Sequence, residues 1–182
     1  MYIDETKKII FIHIPRTGGT RIKSCLNLHD KIVNSPPSPL DYHRHIRKLD
    51  TIYKEYFKFT FVRNPWDRFV SLYFYNKSKT YQEMFPDRLT TLVAKKYEFK
   101  SWLDNFPYRT LQQVDFGTSE LDFVGKYETI QSDFNSIFNG NLNVENSIDR
   151  KHYSYYYDDV SIDKVYALAN NDIKEFKYKY EM

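Results

Sequence analysis

The segment Phe11–Thr20, FIHIPRTGGT, concentrates residue types that bind anions. Gly18 and Gly19 allow the backbone to approach a phosphate or sulfate closely. Thr17 and Thr20 carry hydroxyl donors, and Arg16 carries a permanent planar cation with a fork of donors. Arg21 follows directly. A second such stretch, Phe61–Tyr73, reads FVRNPWDRFVSLY. There Arg63 stands just past an apolar run, and Ser71 comes two helical turns later, with Arg68 and Ser71 on one face at i, i+3. Between the two lie His43 and His45, in DYHRHIRKL. Histidine suits proton transfer near neutral pH. A metal site at His43-x-His45 finds no support, because no cysteine cluster or acidic partner with ligand spacing accompanies it.

These residues need elements to position them. Lys8–Ile14 is rich in β-branched and aromatic residues and predicts a buried strand. Pro15–Thr20 breaks it, and Arg21–Leu28 continues as a helix, with Ile22, Cys25, Leu26 and Leu28 at roughly helical spacing. The loop therefore sits at a strand's end and a helix's start, where free N–H groups and the helix dipole favour negative charge. Cys25 reads as core, and His13, within the strand, as structural. Phe57–Val62 predicts a second strand, and Pro65 suits the first turn of a helix running to about Tyr75. Helices are expected around His45–Tyr53, near Leu89–Tyr97 and near Lys100–Asn105. A short strand at Phe123-Val124 ends at Gly125. Further helices are expected over Glu128–Phe138 and over Ser161–Phe176, the latter with Ser161 as N-cap. Strands alternating with helices predict an α/β fold with a parallel sheet. No repeat or domain boundary is evident, so residues 1–182 read as a single domain.

The chain has 182 residues, 41% apolar, enough to bury a core. Its net charge of +3 suits a local anion site and not the broad basic surface of a nucleic-acid binder. One cysteine excludes an internal disulfide and points to a reducing compartment. No apolar run of membrane-spanning length and no secretory signal is found, so a soluble cytoplasmic protein is expected.

FIHIPRTGGT followed about 40 residues later by FVRNPWDRFVSLY resembles the carbohydrate-type sulfotransferases, including the group related to heparan sulfate 2-O-sulfotransferases and small bacterial relatives. The resemblance implies a three-layer P-loop-like fold, with a central parallel sheet flanked by helices. It implies 3′-phosphoadenosine 5′-phosphosulfate (PAPS) as donor and no metal. Arg16, Thr17, Gly18, Gly19, Thr20 and Arg21 would hold the 5′ end, and Arg63 and Ser71 the 3′-phosphate. Val124–Phe134, VGKYETIQSDF, resembles a later strand–helix segment of the family. Ser147–Asp159, SIDRKHYSYYYDD, resembles its late basic-aromatic segment, so Arg150 and Lys151 would reach a phosphate of the nucleotide. Histidines near His43 and His45 act as base in the 2-O-sulfotransferase group, and the acceptor is expected to be a hydroxyl, on a saccharide. The family usually carries lysine where this chain has Arg16, beside the leaving phosphate. Two other readings are a small nucleotide kinase and a non-catalytic protein binding adenosine 3′,5′-bisphosphate (PAP). The kinase lacks support, because GxxxxGK[ST] and a Mg²⁺-binding Asp after an apolar strand are missing.

Overall fold

In a computed structural model, residues 1–28, 53–106, 112–142 and 150–182 are described. The chain divides into two compact units, one of residues 1–63 and 112–146, the other of residues 64–111 and 147–182.

The first unit is built on a four-stranded sheet: β1 (Tyr2–Asp4), β2 (Ile9–Ile12), β3 (Phe57–Val62) and β4 (Phe123–Lys126), in that order. β2 pairs parallel with β3, and β3 parallel with β4. The expected parallel sheet is therefore present over three strands. A parallel sheet covered on both faces needs near-continuous apolar strands. All four residues of IIFI are buried, as are the last five of FKFTFV. Thr60, one of two polar interruptions of β3 with Lys58, donates its hydroxyl to the carbonyl of Ile12 at 2.6 Å. Phe11, Phe59, Phe61, Ile22, Leu26 and Phe134 form the core, drawing on β2, β3, α1 (Gly19–Leu26) and a later helix (Ile130–Ile137).

β1 was not expected. It is three residues long, too short for a periodic signal, and runs antiparallel to β2. The intervening turn is closed by Asp4, whose carboxylate accepts from the backbone N–H groups of Thr6 and Lys7, each at 3.0 Å. Cys25, read as core, is instead exposed. It lies at the edge of a stripe in which Gly19, Ile22 and Leu26 are the buried positions of α1.

The second unit is helical: α2 (Pro65–Lys77), α3 (Lys79–Met84), α4 (Leu89–Lys96), α5 (Phe99–Asn105), and, after the helix Ile130–Ile137 of the first unit (α6), α7 (Asp159–Leu168) and α8 (Asn170–Phe176). α2 starts as its sequence dictates. Pro65 occupies the first turn, and the Asn64 side chain accepts from the Trp66 N–H. Its inward face, Trp66, Phe69, Val70 and Tyr73, joins Phe99 and Trp102 of α5 in a ring-rich core. The predicted single helix over Ser161–Phe176 is two helices. The chain leaves helical geometry at Ala169, and Asn170 and Asn171, whose amides compete for backbone hydrogen bonds, follow. Ser161 is not the N-cap. Asp158 is, and Ser161 is the third residue of the same capping box. The helix expected around His45–Tyr53 lies almost wholly outside the described residues.

Candidate functional site

The site forms where β2 and β3 end at their carboxyl edges, the usual ligand position in open α/β sheets. Beyond Ile12 the chain passes through Ile14 and turns at Arg16 into α1. Arg16 adopts φ 70, a left-handed conformation uncommon for a side-chain-bearing residue, and Gly18 follows at φ 85. A Cβ on Gly18 would lie 2.4 Å from a methyl of Ile130, and one on Gly19 would lie 2.1 Å from the imidazole of His13. Gly18 is thus required by contact and by conformation, and Gly19 by contact.

A pocket opens over this turn. Arg16, Gly18, Gly19, Thr20 and Arg21 line it from the loop and α1, and Arg63 lines it from the end of β3. Six of the residues singled out in the two motifs therefore meet at one place. Three of them are arginines, and no lining residue is acidic. At the start of α1 the Arg21 and Ile22 N–H groups donate to the Gly18 carbonyl, at 3.0 and 3.4 Å, and the Gly19 and Thr20 N–H groups precede these first helical bonds. Together these features form a cationic pocket within the first unit, with the charge and donors that suit an anion.

Arg63 is the most constrained member. It is 6% exposed. Its Nη1 donates to the Arg16 carbonyl at 3.1 Å, and its guanidinium lies over the Tyr127 ring at 3.9 Å from the centroid. The left-handed turn at Arg16 thus ends on a carbonyl that the other motif's arginine holds. Thr17 is fully buried and donates its hydroxyl to the Ile14 carbonyl at 2.9 Å, so that hydroxyl braces the loop. Thr20 is exposed within the pocket.

Two lining residues were not expected. His13 sits two residues past Phe11, on the same face of the chain. Its ring stacks on Phe11 at 5.8 Å and packs against Gly19. Burial, reinforced by Lys23, the N-terminal amine and Arg16, lowers its pKa to about 3, so the imidazole is neutral at physiological pH. Tyr127 is the first residue after β4. Both stand at carboxyl ends of strands, and that position is the signal by which the sequence could have found them.

The remaining expected residues lie on the second unit. Ser71 is on α2 and 3% exposed, and Arg68 on the same helix is also buried. Arg150 forms a partly buried ion pair with Asp67 and donates to the Lys151 carbonyl at 3.3 Å. Lys151 is exposed, its ammonium 5.2 Å from the centre of the Tyr155 ring. His152 accepts from the Ser154 N–H at the start of the short turn Tyr153–Tyr156, a local structural role. His43 and His45 lie outside the described residues, as do His29, Arg44, Arg47 and Lys48. Among the described residues, no group of histidines, cysteines and carboxylates is placed to hold a metal ion, and no helix is long and apolar enough to cross a membrane.

Residues 1–179 match the model of a family described as the Sulfotransferase family. No curated protein and no solved structure matches the chain.

Proposed function

We propose that this chain, which belongs to the sulfotransferase family, moves a sulfonate group from PAPS to a hydroxyl of a carbohydrate acceptor. One observation carries the proposal. Three arginines, Arg16, Arg21 and Arg63, converge with a glycine-bearing helix start on a single pocket at the carboxyl ends of two parallel strands. Such a pocket suits a ligand with several negative charges, and PAPS is a donor of that kind.

In the proposed reaction the acceptor oxygen attacks sulfur in line. An O–S bond forms, the S–O bond to the 5′-phosphate breaks, and PAP leaves with the electron pair. Arg16, Gly18, Gly19, Thr20 and Arg21 hold the phosphosulfate end, and Thr17 keeps their loop in shape. Negative charge grows on the bridging oxygen as the bond breaks. Fixed donors aimed there stabilise the transition state more than the ground state. Arg63 and Ser71 bind the 3′-phosphate, with Arg150 and Lys151 as further cations. His43 or His45 takes the hydroxyl proton, with His43 preferred, which contributes a factor of about 10²–10⁴. We read residues 1–182 as one sulfotransferase domain, supported by a family match that runs across both compact units.

Transfer from ³⁵S-labelled PAPS to a panel of saccharides tests the reading. Transfer that is lost in His43→Ala or His45→Ala identifies the base, and transfer surviving the double substitution removes histidine from that role. Arg16, standing where the family usually has lysine, motivates a second reading, a protein that binds PAP without transferring from PAPS. Tight PAP binding with no transfer to any acceptor favours it. Mg²⁺-dependent ATP binding in place of PAP binding favours the kinase.

A further inference from the structure

Arg63 stands one residue beyond the last paired position of β3, where Val62 faces Lys126. Past that point its peptide groups leave the strand ladder, yet the residue is buried. Buried backbone N–H and C=O groups need partners. Gln113 supplies both. Its Oε1 accepts from the Arg63 N–H at 2.8 Å, and its Nε2 donates to the Arg63 carbonyl at 2.8 Å. The Gln113 side chain is itself fully buried. One carboxamide thus extends the strand by a residue, as a neighbouring backbone would. Tyr127 acts on the other end of Arg63. Its ring covers a face of the guanidinium at 3.9 Å, leaving recognition to the N–H edge, from which Nη1 reaches the Arg16 carbonyl.

We propose that Gln113 and Tyr127 are positioning residues that hold Arg63, main chain and guanidinium, in the pose that faces the anion pocket. The proposal rests on the reading of Arg63 as a nucleotide-binding residue. Chemistry limits what can replace either brace. A carboxamide presents an acceptor and a donor on adjacent atoms, matching the C=O and N–H of a neighbouring strand. Glutamate at 113 accepts from the N–H but opposes the carbonyl, and leucine does neither. Phenylalanine at 127 keeps the ring face and its attraction for the cation, whereas leucine removes it. Preorganised charge binds more tightly than charge that must first be ordered, because the entropy of fixing the side chain is already spent.

The test uses the whole chain and two readouts. The first is calorimetric binding of PAP to the wild type, Q113L, Q113E, Y127F, Y127L and R63A, with Q113L repeated in the R63A background. We expect Q113L and Q113E to weaken binding about tenfold or more. Y127L should weaken it about two- to tenfold, and Y127F should leave it within about twofold. Q113L should add nothing to the loss of affinity once Arg63 is alanine, because the guanidinium whose pose the brace sets is then gone. The second readout needs no ligand. The Arg63 side-chain Nε–H signal should carry the ring-current shift of Tyr127 in the wild type and in Y127F, and lose it in Y127L and Q113L. Equal weakening by Q113L with and without Arg63 overturns the proposal, as does an Arg63 signal indifferent to Q113L and Y127L. If the wild type fails to bind PAP while the Arg63 signal responds as stated, the donor reading falls and the brace stands.

Discussion

Replacing Gly19 by alanine should strain the pocket floor by a calculable amount. The added methyl would lie 2.1 Å from Cδ2 and 2.4 Å from Nε2 of His13, where ordinary contact begins at 3.4 Å. The imidazole would have to retreat by roughly 1.3 Å or the helix start would have to lift, since packed interiors leave little free space. Retreat is opposed because the ring is stacked on Phe11, which is fully buried. Overpacking of this kind costs about 1–3 kcal/mol. Alanine's better helix propensity recovers at most ~1 kcal/mol of that. The net loss, about 1–2 kcal/mol, corresponds to a fall in Tm of about 2–8 °C for a chain of this size. Thermal and urea unfolding of wild type, G19A, H13A and the double variant would measure it. Removing the imidazole makes room for the methyl, so G19A should cost much less in the H13A background, with a coupling of about 1–2 kcal/mol. A G19A protein as stable as wild type, or strictly additive effects, would refute the reasoning.

Four further outcomes follow from the same geometry. His13, with its pKa lowered to about 3, should stay neutral through the mildly acidic range, seen as an imidazole NMR signal that does not titrate between about pH 8 and 5. Its folded pKa lies below the unfolded value of about 6.5, so its contribution is complete above pH 6.5 and is lost as pH falls toward 3; H13A should flatten that part of the stability profile. At Asp158, hydrogen bonds from Lys100 and then from Ser161 hold the carboxyl well below the usual carboxylate range. D158A should lower Tm and D158N should largely restore the cap, with the acid loss setting in only below the unfolded value of about 4. Gly18→Ala combines a left-handed backbone with a 2.4 Å approach to Ile130 and should cost about 2–4 kcal/mol, more than G19A, in the same unfolding assay.

The strands of the sheet were legible where burial on both faces leaves a continuous apolar run, as in IIFI, and where aromatic and β-branched residues dominate, as in FKFTFV. So was the start of α2, because Asn64-Pro65 is a local signal. β1 was not, since three residues carry no period and its pairing depends on β2. The break at Ala169 was also hidden, because the apolar spacing of Val165, Ala169 and Ile173 continues across it. At the site, the loop and Arg63 could be read from residue type and position. His13 could not be assigned a place in the pocket, because a histidine in a strand reads equally as core. Gln113 was invisible for a deeper reason. Its role lies in two hydrogen bonds to a residue 50 positions earlier, and nothing in its own neighbourhood marks it.

The measurement closest to the central claim is a titration of the chain with PAP in the absence of Mg²⁺, followed by NMR and calorimetry. The account predicts saturable binding, with the Gly19 and Thr20 amides, the His13 ring and the Arg63 side chain as the responding signals, a loss of affinity of about 1.5–3 kcal/mol in R63A, and weakening by salt. Absence of binding, or binding that leaves those four groups unmoved and survives R63A, would contradict it.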